Sequence, residues 1–409
     1  MISVDKHNGY YLYFHIPFCS KKCTYCFYNS FVPQKKTLVD EYLGYLEKEI
    51  KLKIKEKYLF PVDVLYIGGG TPNYLSDKQL ELLLQIIQRN FNLVAVKEFT
   101  VEMNPAFCTE KQLKLLKRFS VTRISFGIQT LNVRILKAVN RNYAEDSSEI
   151  ILVAKHMGFL VNLDFMFGLP YQKSSDVDGA IGFIEKVRPA LCTFHELRIG
   201  TNEIVEADKQ GILSYTEVTA FYEKFTRELK EVGYVQFAPE LFSLQEKISL
   251  CNYGNNWWAR GKIIGFGVSA FSQLGNAFTK NMTELGDYYA SLDEGRNATK
   301  FEYIFDLKEL AILNFVSMIT AGFAVDIKEI RRKYGINILA ILDWEIAELL
   351  KSGVLLLKND LLLLNPDKFI FSTPTIPFLL RRFDYLVEIW DVASGAPDKF
   401  RFTIKGKKD

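Results

Sequence analysis

Tyr13-Phe-His-Ile-Pro-Phe-Cys19-Ser-Lys-Lys-Cys23-Thr-Tyr-Cys26 is the stretch on which the fold turns. An apolar, strand-like run, Tyr10–His15, gives way to a loop with three cysteines at C-x3-C-x2-C spacing. A 4Fe-4S cluster normally takes four cysteine ligands. Three leave one iron open to a small molecule, and in iron–sulfur chemistry that molecule is usually S-adenosylmethionine (SAM). A structural zinc site is the competing reading, but such sites pair two cysteine or histidine halves. Here the remaining cysteines, Cys108, Cys192 and Cys251, stand singly.

Outward from this loop, strand-like runs alternate with amphipathic helical segments. Strands are expected at Tyr10–His15, Val62–Ile67, Phe99–Glu102, Arg123–Ile128, Val161–Phe167 and Leu191–Arg198. Helices are expected at Thr37–Lys57, Ser76–Asn90, Thr109–Phe119, Leu131–Val139 with Asp146–His156, and Asp176–Val187, with Ser76 and Thr109 as N-caps. Units of this kind in series build a parallel sheet with helices outside it. Eight close a full barrel; six leave an incomplete (β/α)6 TIM-like barrel, so the fold class is α/β. Chemistry in such folds sits at the carboxyl ends of the strands, and the candidate motifs fall there.

Gly68-Gly69-Gly70-Thr71-Pro72 follows the second strand, and glycines let backbone approach a ligand where a side chain would clash. Alone it is an ordinary βα turn; about 40 residues after a three-cysteine loop it is specific, and its carbonyls suit the amino group of SAM. Glu102 ends the third strand before a proline, placed to pair with an ammonium or a ribose hydroxyl. Gln129, Arg141 and Asp164 form the next tier. Asp164 lies in an apolar strand where an unpaired carboxylate is costly; a polar ligand or Arg141 would relieve that cost. His15 reads equally as a core histidine or a ligand.

The chain has 409 residues, 48% hydrophobic and 14% aromatic, enough for one large domain and a smaller one. A net charge of +3 from interspersed acids and bases argues against a dedicated nucleic-acid surface. No run reaches the roughly 18 apolar residues of a membrane span, no secretory signal is visible, and unpaired thiols fit a reducing cytoplasm. Residues 1–300 are expected to form the partial barrel, with a less regular substrate-side extension over about 200–300, a helix at Thr216–Val232 and a strand-like segment at Ile263–Phe271. Residues 301–375 read as helices Leu307–Thr320, Ile327–Tyr334 and Ile338–Ser352 and a hairpin near Lys358-Asn-Asp360, a winged-helix-like accessory domain. A basic recognition helix is missing, so it reads as packing on the barrel. Residues 376–409 form a tail.

These segments resemble the radical SAM superfamily, and within it the oxygen-independent coproporphyrinogen III oxidase family. The resemblance rests on Tyr13-x-His-Ile-Pro-Phe-Cys19-x3-Cys23-x-Tyr-Cys26, Gly68-Gly-Gly-Thr-Pro72, Glu102-x-Asn-Pro105, Arg123-Ile-Ser-Phe-Gly-Ile-Gln129, Asn140-Arg141, Asp164-x3-Gly-Leu-Pro170 and Ile264-Gly-Phe-Gly-Val-Ser-Ala270. It implies that Cys19, Cys23 and Cys26 hold 4Fe-4S and that two SAM molecules bind. Tyr13, Gly69, Glu102 and Phe271 would line the SAM at the open iron. Tyr25, Gly70, Thr71, Gln129, Arg141 and Asp164 would line the second. The cluster would cleave the first SAM to methionine and a 5′-deoxyadenosyl radical that takes hydrogen from carbon. An electron donor such as flavodoxin or ferredoxin, and a small-molecule or tetrapyrrole substrate, are implied partners.

The departures narrow the branch. Oxidases of this family carry a fourth cysteine two residues after the third, where this chain has Tyr28. The heme-chaperone branch has a His-Asn pair before a Tyr-Trp, where this chain reads Tyr253-Gly-Asn-Asn-Trp-Trp258. By elimination, C-methylation or cyclopropanation with the second SAM as carbon donor is the leading expectation. Heme chaperoning and coproporphyrinogen-type decarboxylation are the alternatives.

Overall fold

Period-two alternation separates an apolar face from a polar one in every strand of the first half, and this decides how the sheet is used. The computed structural model describes residues 9–54, 61–144, 146–197, 211–244, 262–383 and 385–387. Strands β1 (Tyr10–Ile16), β2 (Val62–Gly69), β3 (Glu98–Met103), β4 (Arg123–Gln129), β5 (Leu160–Phe167) and β6 (Leu191–Glu196) are parallel neighbours in that order. Between them run helices α1 (Thr37–Lys53), α2 (Asp77–Asn90), α3 (Glu110–Arg118), α4 (Val133–Ala138), α5 (Ser148–His156) and α6 (Ser174–Val187). Leu12, Phe14, Leu65, Ile67, Val101, Ile124, Phe126, Leu163 and Phe165 face outward into one core beneath these helices. Burying them is the main favourable term for this layer, about 1.5–3 kcal/mol per large side chain.

The opposite face carries Tyr13, His15, Tyr66, Glu98, Thr100, Glu102, Arg123, Ser125, Asn162, Asp164, Thr193 and His195. Parallel strands buried on both faces ordinarily read as continuous apolar runs, so a polar inner face marks a sheet built to surround something hydrophilic. At its base Glu98 and Arg123, both buried, pair at 3.8 Å. Ser76 and Thr109 are indeed N-caps: each accepts from the N–H three residues on, and Gln79 or Gln112 reaches back to close the capping box.

The extension is more regular than its sequence reads. Helix α7 (Tyr215–Glu231) precedes the antiparallel pair β7 (Tyr234–Ala238) and β8 (Leu241–Leu244), which joins the sheet at β6. On the other side β9 (Lys262–Phe266) lies parallel to β1, a seventh parallel strand beyond the six of the β/α series. The single strand expected over Ile263–Phe271 is therefore two. The chain turns at Gly267–Ala270, with Gly267 at φ +99 and Ser269 at φ +60, and returns as β10 (Phe271–Leu274). Next come β11 (Ala277–Asn281), α8 (Leu285–Asp293) and the edge strand β12 (Thr299–Ile304).

In the accessory region, α9 (Leu307–Thr320) leads to β13 (Val325–Asp326), α10 (Ile327–Tyr334), α11 (Ile338–Ile341) and α12 (Asp343–Lys351). The expected single helix Ile338–Ser352 breaks at Leu342, whose φ −109 and ψ 37 leave the helical region. A new helix opens at Asp343, whose carboxylate accepts from Arg382 at 3.1 Å. Strands β14 (Leu355–Lys358) and β15 (Leu361–Leu364) form the expected hairpin, turning through Asn359 at φ +56, and β13 adds a third strand to the wing. Helix α13 (Ser372–Leu380) runs across position 375. Beyond it Arg381 stacks 3.5 Å from the Trp344 ring and, with Arg382, grips buried Glu345, so the start of the tail is docked. No described helix is long and apolar enough to cross a membrane.

Candidate active site at the carboxyl ends of the strands

The cysteine loop leaves β1 through Pro17 and Phe18. The Phe18 ring is fully buried, edge-on to Tyr42 at 5.3 Å. From that anchor the loop is stitched on three sides. Cys19 N–H donates to Phe31 O (3.0 Å), Thr24 N–H to Val139 O after α4 (3.1 Å), and Asn140 to Lys22 O (2.8 Å). The glycine turn closes the third side: Gly70 N–H reaches Ile16 O and Thr71 N–H reaches Phe18 O, both at 2.8 Å. Thr71 Oγ1 lies 3.4 Å from Cys19 Sγ. A Cβ on Gly70 would stand 2.8 Å from Phe18 O and 3.0 Å from Cys19 Sγ, which is why that position has none.

His15 belongs to this scaffold. A carbonyl only accepts, so the Nε2 that lies 2.8 Å from Asn29 O carries the proton. Nδ1 then accepts from Tyr13 OH at 2.9 Å. Burial lowers its pKa to about 4, keeping the ring neutral. His15 is therefore a satisfied core histidine that ties the far end of the cysteine loop to β1. Its ring also fixes Gly69, at φ +114, where an added Cβ would lie 2.7 Å from the imidazole. Gly69→Ala is expected to cost about 1–3 kcal/mol from backbone strain, read as a lower denaturant midpoint with unchanged slope.

Two polar clusters flank the loop. In the first, Tyr66 OH donates to Glu102 Oε1 at 2.5 Å and Gly69 N–H reaches Oε2 at 3.3 Å. Burial pushes the Glu102 carboxyl up to about 7. Tyr13 stacks obliquely on Tyr66, ring centroids 6.1 Å apart. Phe271 lies beside Gly265, the partner of Tyr13 across β1 and β9, and packs with Tyr11, Val64 and Ile263. It thus borders the first cluster from below.

In the second, Arg141 donates to Tyr25 OH (2.9 Å) and to Gly127 O, with the Cys23 thiol nearby. Gly127 is open for the same reason as Gly70: its Cβ would meet Arg141 Nη2 at 2.8 Å and Gln129 Nε2 at 2.9 Å. The ladder between β4 and β5 slips between Gly127 and Gln129, and Gln129 sits at φ +68. A bulge with a left-handed non-glycine residue re-aims a side chain at a strand end.

Asp164 is satisfied differently from the sequence expectation. Ser125 OH and the Asn162 amide donate to it, each at 2.7 Å, and Thr193 in turn holds Asn162. Arg141 is engaged with Tyr25 and Gly127 instead. Sequence reasoning missed His195, whose Nδ1 is 2.9 Å from Glu240 and whose Nε2 is 4.0 Å from Asp164, with its side chain 48% exposed. Ser125, Asn162 and His195 were legible as inner-face positions at period two; Glu240 was not, since only the β7–β8 turn brings it to β6.

The donor set fits an iron–sulfur cluster better than a single ion. Among the described residues no three His, Cys, Asp or Glu side chains gather to hold one metal ion. A cubane instead takes one thiolate at each of three irons. Burial raises the Cys19 thiol and pushes Cys26 up to about 11, so cluster binding would release protons. Tyr253–Trp258, the stretch that departs from the heme-chaperone motif, and the single Cys251 lie outside the described residues.

Residues 13–184 match the radical SAM superfamily model. The chain is 31% identical over 271 residues to the heme chaperone HemW of Buchnera aphidicola (subsp. Schizaphis graminum), covering 64% of this chain and 70% of that protein. It is 31% identical over 307 residues to the oxygen-independent coproporphyrinogen III oxidase of Escherichia coli K12, covering 70% and 66%. The solved structure of the E. coli coproporphyrinogen III oxidase HemN superimposes with a TM-score of 0.80 over 92% of this chain and 91% of that one, at 22% identity, which speaks for the fold alone.

Proposed function

This chain is a radical SAM enzyme of the oxygen-independent coproporphyrinogen oxidase and heme chaperone family, and from that premise we propose that it binds two SAM molecules and takes hydrogen from a tetrapyrrole-type substrate. The observation that carries this is the pair of separate polar clusters, Tyr66–Gly69–Glu102 and Tyr25–Arg141–Gln129 with nearby Asp164, set on either side of one three-cysteine loop. Cys19, Cys23 and Cys26 would hold the cluster, which when bound supplies the electron that cleaves a SAM sulfonium. Glu102 and the turn carbonyls would meet the amino group of the first SAM. Arg141 would meet the carboxylate of the second, and Asp164 its hydroxyls. The tetrapyrrole class rests on what the relatives' names say they act on or carry.

Methyl transfer or cyclopropanation gains nothing from those relatives. Its support is the second cluster and Tyr28, 46% exposed and stacked on Phe27, at the position of the oxidases' fourth cysteine. Anaerobic reconstitution with iron and sulfide, then SAM, reductant and a porphyrinogen, separates the cases by mass spectrometry. 5′-Deoxyadenosine with S-adenosylhomocysteine supports methyl transfer; 5′-deoxyadenosine with loss of CO2 from the substrate supports decarboxylation. Stoichiometric heme uptake with a Soret band and no SAM cleavage overturns the enzyme reading.

Glu102 gives a pH test. Below about 7 its carboxyl takes a proton and loses the charge that pairs with an ammonium. SAM affinity of the wild type is therefore expected to fall as pH drops from 8 to 6. Glu102→Gln should bind SAM about tenfold more weakly at pH 8, the loss of one charge-assisted contact, and lose the part of the pH dependence owed to this group. Anaerobic calorimetry at three pH values checks both; parallel curves for the two proteins would exclude the role.

A further inference from the structure

Away from the three cysteines, the inner face carries an acid–base pair that the proposed steps leave unused. His195, on β6, is hydrogen-bonded through Nδ1 to Glu240 at 2.9 Å. A carboxylate only accepts, so Nδ1 carries the proton of the neutral ring and Nε2 keeps its lone pair. Nε2 lies 4.0 Å from Asp164 Oδ1, too far for a hydrogen bond, and the side chain is half-exposed on the inner face. The pair is anchored on both sides. Glu240 stands at the β7–β8 turn, and its carbonyl accepts from Phe194 N–H at 2.9 Å, which fixes the turn to β6. One residue earlier, Pro239 O accepts from Tyr222 OH at 2.5 Å and from the Gln236 amide at 2.9 Å. Phe194 itself is buried against Phe225, with ring centroids 3.7 Å apart. His195 also acts on the first polar cluster: burial pushes Glu102 up, and the charge of His195 draws it back down. One imidazole is thus within electrostatic reach of both clusters, Glu102 on β3 and Asp164 on β5.

A histidine held at Nδ1 by a carboxylate, with Nε2 turned to the inside of a barrel, is arranged as a general base. We propose that His195, oriented by Glu240, is the proton acceptor for the substrate: Nε2 takes the N–H proton of the pyrrole ring that carries the radical. This rests on the proposed function, which supplies the tetrapyrrole and the hydrogen abstraction. A radical on a carbon bonded to a pyrrole spreads into the ring and makes its N–H far more acidic than in the parent compound. The N–H bond breaks with its electron pair left on the substrate nitrogen, an Nε2–H bond forms, and no electron changes hands in this step. The charged groups that face the ring are Glu240 from the β7–β8 turn, Asp164 from β5 and Glu102 from β3. All three are carboxyls, and in its ionised form each favours the imidazolium that results.

The test uses the reconstituted holoenzyme with SAM, reductant and coproporphyrinogen III in D2O. 5′-Deoxyadenosine free of carbon-bound deuterium marks hydrogen taken from the substrate, and mass spectrometry counts the converted tetrapyrrole beside it. His195→Gln is expected to lower converted tetrapyrrole per deuterium-free 5′-deoxyadenosine about 100-fold, the lower end of what a general base contributes. Glu240→Gln, whose amide can donate to Nδ1 and move the ring proton to Nε2, should lower the same ratio. His156→Gln, at the end of α5, should match wild type. In H2O the wild-type ratio is expected to fall as pH drops from 8 to 6 and the ring takes up a proton, and His195→Gln should lose that dependence. Glu102 titrates in the same range but acts on SAM, so it moves both products together and cancels in the ratio. An unchanged ratio in His195→Gln overturns the inference; so does an equal fall of both products, which would make His195 a positioning residue. If His195→Gln loads less iron, Glu240→Gln decides by the same ratio. A wild type that cleaves SAM yet takes no hydrogen from the porphyrinogen would sink the proposed function, and the inference with it.

Discussion

Cys23→Ala is expected to reduce the iron content of anaerobically reconstituted protein to background and to abolish SAM cleavage. Cys23 is the loop thiol that both Tyr25 and Arg141 approach, so its loss removes a ligand and strips the second cluster of a neighbour. Cys108→Ala is the matched control. Cys108 lies 4.0 Å from Met103 Sδ, and burial raises its pKa to about 12, the signature of an inert thiol. It should keep wild-type iron and cleavage. Iron analysis, the EPR change on adding SAM to the reduced protein, and 5′-deoxyadenosine formation read the two variants together. Cleavage by Cys23→Ala at the wild-type rate would end the enzyme reading.

The cysteine loop was legible because its chemistry is local: three thiols, a glycine turn and a strand before each, all within short spans of chain. The strands were legible for the same reason, each carrying its own period-two signal. What could not be read is what lies at long sequence separation. Of the two partners expected for Asp164, a polar ligand or Arg141, the second is engaged elsewhere: the β4–β5 register brings Ser125 to that carboxylate, and Asn162, two residues before it on β5, adds its amide. Glu240 reaches His195 only through an antiparallel pair formed 45 residues later. The Gly267 turn reads as continuous strand because Ile263, Ile264, Phe266, Val268 and Phe271 around it are good strand formers; the positive φ at Gly267 and Ser269 is imposed from outside.

That outside constraint is Glu49, and its removal is expected to be the most destabilising single change. Its side chain is fully buried on α1, which sequence periodicity would reserve for an apolar residue. It accepts from Gly267 N–H (2.6 Å), the Asn281 amide (2.6 Å) and Tyr288 OH (2.8 Å), and pairs with Lys53 at 2.7 Å. Lys53 in turn donates to Gly265 O at 2.9 Å. One carboxylate thus fastens β9, β11 and α8 to α1, and through the Gly267 turn it reaches the site. Tyr42 OH, beside that turn, holds His15 O at 2.6 Å, while Asn29 of the cysteine loop donates to Ser269 Oγ at 2.6 Å. Glu49→Ala leaves Lys53, its side chain only 13% exposed, without its carboxylate and orphans the Gly267, Asn281 and Tyr288 donors, and is expected to cost about 3–5 kcal/mol. Glu49→Leu/Lys53→Met removes both charges and should recover part of that loss, since replacing a whole buried pair by apolar side chains is often near neutral. Denaturant midpoints rank the three proteins. Iron retention on dilution separates fold from site: if the clamp positions the cysteine loop through Gly267, the double variant regains stability yet still loses iron faster than wild type. Full recovery of both would show that Glu49 serves packing alone.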